Sequence, residues 1–132
     1  MLFQITGFYA GIGALFLVFL CLRVIGMRRS LKVGLESGGN PSLARCIRVH
    51  GNAAETLPIG LIVIGLVEAT GGYAWLVHAL GIALILGRFA HFQGFSQSNG
   101  STLGRTLGMV LTFTVLIIGG LYLIATTALS LF

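Results

Sequence analysis

The stretch RCIRVHGNAAETLPIGLIVIGLVE, residues 45–68, changes character half-way along without a break. Its first part carries Arg45, Arg48, His50, Asn52 and Glu55, and beyond Pro58 it is apolar up to Glu68. No turn-forming cluster separates the two parts, so they read as one helix from about Ser42 to Ala69. Roughly 20 helical residues cross about 30 Å of hydrocarbon, so this helix is longer than one span needs. The whole chain has the same bias. Its 132 residues are 56% hydrophobic and 8% charged, with a mean hydropathy of +1.00. A soluble domain carries roughly a quarter charged residues. Eight basic and three acidic residues cannot clothe a water-exposed domain. The composition excludes a soluble or secreted enzyme, a nucleic-acid-binding domain and a disulfide scaffold.

Working outward, three more apolar stretches predict helices at about 4–27, 73–95 and 103–128, beside the one at 42–69. The expected architecture is an all-α integral membrane protein: one four-transmembrane-helix bundle over residues 1–132. The first stretch does not read as a signal peptide, because no basic segment precedes it and its apolar core is too long. Gly38, Gly39 and Pro41 mark a loop after helix 1, with Asn40 or Ser42 as cap of helix 2. Gly71-Gly72 predicts a tight turn, and residues 96–102 a second polar loop. The glycine pairs Gly7/Gly11 and Gly104/Gly108 suit close helix packing. All eight basic residues lie between Arg23 and Arg48 or between Arg88 and Arg105, at or beside the 1–2 and 3–4 loops. The positive-inside rule then puts both polar loops in the cytoplasm and both termini outside. Cys21 and Cys46 form no Cys-x-x-Cys pair and read as packing residues. No metal site is expected.

Within helix 2, Arg45, Arg48, Asn52 and Glu55 recur at spacings of three, four and three, and fall within an arc of about 80°. A polar stripe on a membrane helix is costly unless it faces protein or a water-filled cavity, which makes these residues binding candidates. Snorkelling of the two arginines to lipid phosphates is the alternative, but Asn52 and Glu55 lie deeper. His50 points about 140° away and reads as a packing or interface residue rather than a ligand. Glu68 lies near the outer interface and reads as solvated. Pro58 predicts a local kink. Helix 3 places Arg88, His91 and Phe95 on one face, and helix 4 begins near Arg105. Such a site is rich in cations with one deep carboxylate. It suits a small polyanion that also bears an ammonium: arginine forks take carboxylates, and Glu55 takes the amine. Glutathione has that layout. An anionic lipid head group or a nucleotide fits the charges nearly as well.

The run from Arg45 to Pro58 resembles the R-x-x-R-x-H-x-N-x-x-E signature, with a proline shortly after, of the membrane-associated proteins in eicosanoid and glutathione metabolism (MAPEG). Arg88-Phe-Ala-His91-Phe-Gln-Gly94-Phe95 resembles the helix 3 segment of that family, and the four-helix layout agrees over essentially the whole chain. The string IRVHGNAAETLP is most similar to the small bacterial inner-membrane (YecN-like) branch. The resemblance implies a homotrimer with glutathione, as co-substrate, bound between neighbouring subunits near the cytoplasmic face. It implies that Arg48, Asn52 and Glu55 hold the peptide with Arg45 in support, and that His91 lines the pocket. Arg105 matches the arginine that stabilises the glutathione thiolate, which would attack an electrophile or hydroperoxide arriving from the bilayer. Arg28 and Arg88 complete the expected ligand-binding set.

The chain departs from the family pattern at three places. Gly51 stands where eicosanoid-forming members often have arginine, Phe95 replaces a tyrosine that commonly contacts the ligand, and residues 96–102 lack a basic or proline-rich character. These departures bear on catalysis more than on binding. Two expectations therefore stand side by side: a glutathione transferase or peroxidase acting on lipophilic compounds, or a non-enzymatic lipid-binding or accessory membrane protein using the same inter-subunit cavity. A cation exporter is disfavoured, because Glu55 is the sole deep carboxylate and sits among arginines.

Overall fold

A computed structural model describes residues 3–97 and 102–131. The chain folds into four helices: α1 (Gln4–Leu31), α2 (Pro41–Ala69), α3 (Ala74–Gln97) and α4 (Leu103–Leu131). All four are long and apolar enough to cross a membrane. The tip of the 3–4 loop expected at 96–102 lies outside the described residues. Helix α1 runs to Leu31 rather than stopping near residue 27. It ends where Lys32 turns left-handed (φ 54°) and its N–H returns to the carbonyls of Arg28 and Arg29. Of the two capping candidates for α2, Asn40 is the cap. Its side chain accepts the backbone N–H groups of Ser42 and Leu43, both at 3.0 Å, with Pro41 in the first turn, where a missing donor costs nothing. Helix α2 continues through Pro58. At its far end Gly71 supplies a positive φ of 81°, and Gly72 N–H bonds Val67 O at 2.9 Å, which closes the short turn into α3.

Helices α2 and α3 form the middle of the bundle. Helix α1 packs on both, α4 packs on both from the other side, and among the described residues α1 and α4 do not touch. The core between them is aliphatic and aromatic: Phe16 and Leu20 of α1, Leu57 and Ile64 of α2, Leu84 of α3 and Val115 of α4 are all buried. The outer surface is apolar too, with Leu15 74% and Ile124 68% exposed. That inside-out continuity is what a bilayer permits and water does not.

The closest helix approach joins α3 to α4. A Cβ on Gly108 would lie 2.5 Å from Gly87 O and 2.6 Å from His91 Cβ, and one on Gly104 would lie 2.8 Å from Ala90 O. Only glycine lets the two backbones meet there. The Gly7/Gly11 pair meets no other helix of its own chain: a Cβ at either position meets nothing within 4 Å. Within the chain, then, equal spacing does not bring an equal neighbour. The solvated reading of Glu68 is corrected. Its carboxylate accepts Ile5 N–H (3.0 Å), Thr6 N–H (2.8 Å) and the Thr6 hydroxyl (2.6 Å). It therefore caps the first turn of α1 from across the bundle, where a negative charge meets unpaired N–H groups and the positive end of the helix dipole.

Candidate functional site

Three helices bring Arg48, Asn52, His91 and Arg105 to one cleft of about 450 Å³ on the outer side of the α2–α3–α4 junction. Helix α2 contributes Arg48 and Asn52, one turn apart. His91 comes from α3 and is 6% exposed, while Arg105 comes from the first turn of α4. The start of α4 is held by Thr102, whose hydroxyl donates to Gly94 O at 3.0 Å. Glycine at 94 and 104 lets the last turns of α3 and the first turn of α4 come together. The guanidinium of Arg105 lies 3.9 Å from the centroid of the Phe95 ring, and Phe95 in turn packs against His91 at 5.0 Å. The ring face attracts the cation and fixes its position at the mouth of the cleft. Met109, Val110 and Phe113 of α4 form the apolar part of the wall. The cleft therefore joins a cationic end to a greasy one.

Asn52 is oriented from behind. Arg88, 2% exposed, sends Nη1 to Asn52 Oδ1 (2.6 Å) and Thr56 Oγ1 (2.9 Å), and Nη2 to Gly108 O (2.9 Å) and the Thr112 hydroxyl. Among the described residues its Nε has no acceptor. The guanidinium thus ties α2, α3 and α4 together at one level, and its charge rests on neutral oxygens. Burying a cation without a counter-ion is tolerable only when such acceptors are several and fixed. The Arg88 side chain stands behind the cleft wall rather than on it. The helical wheel puts it on one face with His91 and Phe95, and the structure shows that this face spans both the interior and the cleft. Thr56 and Thr112, which take part in this network, carry no signal of their own in the sequence. Thr112 four residues after Gly108 on an apolar helix is the nearest thing to one.

The α2 stripe is divided among surfaces. Arg45, two turns before Asn52, donates to Ser42 Oγ at 3.0 Å and lines a different cavity, beside α1. Arg48 lines the cleft and pairs loosely with Glu55 at 3.8 Å, and both side chains face outward, 64% and 60% exposed. Glu55 stands fourteen residues after Pro41, about 21 Å along α2 and near the middle of that helix. Arg28 sits apart, in a groove with Arg29 and Lys32 at the end of α1.

A sequence profile of the MAPEG family matches residues 6–125. The chain belongs to the MAPEG family. It is also 36% identical over 92 residues to "Inner membrane protein YecN" of Escherichia coli K12, covering 70% of each chain, and matches the protein of that name from Escherichia coli O6:H1 equally. Family membership accounts for the four-helix layout. It does not by itself assign a reaction, because a site and not a fold carries chemistry.

Proposed function

We propose that this MAPEG protein is a bacterial inner-membrane homotrimer that binds glutathione in clefts completed by a neighbouring subunit. One observation carries the reading: Arg48 and Glu55, on a membrane-spanning helix, are more than half exposed in the single chain. A carboxylate near mid-helix facing hydrocarbon is strongly disfavoured, so this face needs a protein or aqueous neighbour. A second copy supplies one. The charges then match the ligand: Arg48 for a carboxylate, Arg105 for the developing thiolate, Asn52 for a peptide amide, His91 for a further hydrogen bond, and Glu55 for the ammonium group. The basic loops face the cytoplasm, where the tripeptide is held.

In this reading a cation beside the sulfur raises the thiolate fraction at neutral pH, and the thiolate is the nucleophile. The S–H proton passes to water. The sulfur then bonds to an electrophilic carbon, expelling its leaving group or breaking a conjugated double bond that takes up a proton from water. With a hydroperoxide it bonds to the distal oxygen as the O–O bond breaks and the alcohol leaves, and a second glutathione reduces the resulting sulfenic acid to the disulfide with loss of water. The apolar wall of Met109, Val110 and Phe113 suits a substrate arriving from the bilayer. That same wall supports the second reading, a lipid-binding or accessory protein without turnover. The purified oligomer is expected to gain thermal stability with millimolar glutathione. Arg48→Ala and Glu55→Ala lose that gain, and Arg105→Ala keeps binding but loses conjugation of a lipophilic electrophile. Absence of any glutathione response in the wild type removes the proposal, and a response without turnover favours the second reading.

A further inference from the structure

A second cavity, of about 240 Å³, shares Phe95 with the cleft and is otherwise lined by different residues. Helix α1 supplies Arg23 and Met27, α2 supplies Ser42, Arg45 and Cys46, and α3 supplies Phe95. Arg23 is eight residues before the end of α1, so its Cα lies about 12 Å inside the helix terminus. A guanidinium at that depth has the reach to extend toward the aqueous end. Instead it folds inward over the Phe92 ring, 4.9 Å from its centroid, with Phe19 at 6.0 Å. Ring faces attract the charge but accept none of its five N–H groups in the way an oxygen would. Among the described residues no oxygen accepts a hydrogen bond from Arg23.

The chain's own carboxylates are placed elsewhere. Glu68 caps α1 at the opposite end, Glu55 pairs with Arg48, and Glu36 lines a different groove. None of the three lines this cavity. The Ser42 hydroxyl oxygen accepts from Arg45, which leaves its proton available to donate. The N-terminal amides of α2 are not the attraction, because Asn40 already occupies those of Ser42 and Leu43. Two guanidinium groups and a hydroxyl around a space with an apolar floor suit a tetrahedral oxyanion better than a planar carboxylate, since several oxygens can be met from different sides.

We infer that this cavity, enclosed by α1, α2 and α3 of one chain, is a binding site for a phosphate-bearing anion, separate from the glutathione cleft. Its position at the basic end of the bundle places it at head-group depth, and Met27 offers an apolar contact to an ester tail. A phospholipid head group and free phosphate share this chemistry, and the test separates them.

Native mass spectrometry of the full chain from neutral detergent reads retention of added dioleoyl phosphatidic acid, with phosphatidylcholine as the neutral-charge control. Wild type is expected to retain the acidic lipid in preference. Arg23→Gln and Arg45→Gln each weaken retention about tenfold, the loss of one charge-assisted contact. Arg29→Gln, which changes an exposed arginine outside the cavity, keeps it. Thermal shift with inorganic phosphate forms the second arm: a response in wild type that is lost in Arg23→Gln points to a free anion, and lipid retention alone points to a head group. If those variants fail to assemble, the native arginines can be kept and the cavity probed through its cysteine. With Cys21→Ser, phosphatidic acid or phosphate should slow modification of Cys46 by a negatively charged methanethiosulfonate. Equal lipid retention in wild type and Arg23→Gln, or a Cys46 rate untouched by both anions, overturns the inference.

Discussion

Arg88 is the most demanding side chain in the bundle, and a single hydroxyl tests how its charge is carried. Thr112 is fully buried; its oxygen accepts from Arg88 Nη2 while its proton goes to Gly108 O at 2.9 Å. Thr112→Val keeps the shape and removes the acceptor. Gly108 O still accepts from Nη2 at 2.9 Å, so the guanidinium is weakened rather than abandoned. A hydrogen bond to a charged group contributes about 1.5–3 kcal/mol, and the expected loss is about 2 kcal/mol. Two residues on, Thr114 offers the control. It is exposed, and its hydroxyl donates only to Val110 O, one turn back on its own helix. Thr114→Val is expected to change stability by no more than about 0.6 kcal/mol, the usual size of a neutral hydrogen bond in a membrane protein. Reversible unfolding in mixed micelles, followed by circular dichroism, measures both. In an Arg88→Met background there is no cation to satisfy, and the Thr112→Val loss should shrink toward zero. Equal losses at 112 and 114, or a Thr112→Val loss undiminished in the Arg88→Met background, would refute the view that neutral oxygens hold this charge.

Other substitutions probe the same framework. Gly108→Ala forces the α3 and α4 backbones apart and is expected to lose about 1–3 kcal/mol in the same unfolding assay, whereas Gly120→Ala, whose Cβ meets nothing within 4 Å, leaves stability intact or raises it. Glu68→Ala frees three donors in the first turn of α1 and should lose about 0.5–2 kcal/mol, the range for a helix cap. Amide exchange at Ile5 and Thr6 should quicken there while exchange in α4 stays unchanged. Glutathione binding should weaken with added salt in wild type, as expected of partly exposed arginines. A salt-independent response would point away from Arg48.

The two glycine pairs show how far a pattern along one helix can be read. Gly7/Gly11 and Gly104/Gly108 have the same spacing, yet only the second meets another backbone. Spacing fixes which residues share a face; it does not name the neighbour. The same limit divides the α2 stripe, where an arc of about 80° is wide enough to touch α1 at Arg45, the cleft at Asn52 and the outer surface at Glu55. Glu68 reads as solvated in the sequence because its partner, the first turn of α1, is more than sixty residues away in the chain.

What the amino-acid order determined by itself was the set of apolar segments, the loops between them and the family signature on α2. Those are local properties: burial of about 20 apolar residues in hydrocarbon needs no tertiary partner, and Asn40, Pro41 and Gly71 act on their own turns. The tertiary structure decided how each helix is rotated against its neighbours. That rotation put Arg88 behind the wall, stacked Arg105 on Phe95 and left Arg23 in a cavity of its own. The physical reason is that rotation depends on which surfaces interlock, here glycine against glycine between α3 and α4, and a side chain's chemical role follows from what the interlocking leaves beside it.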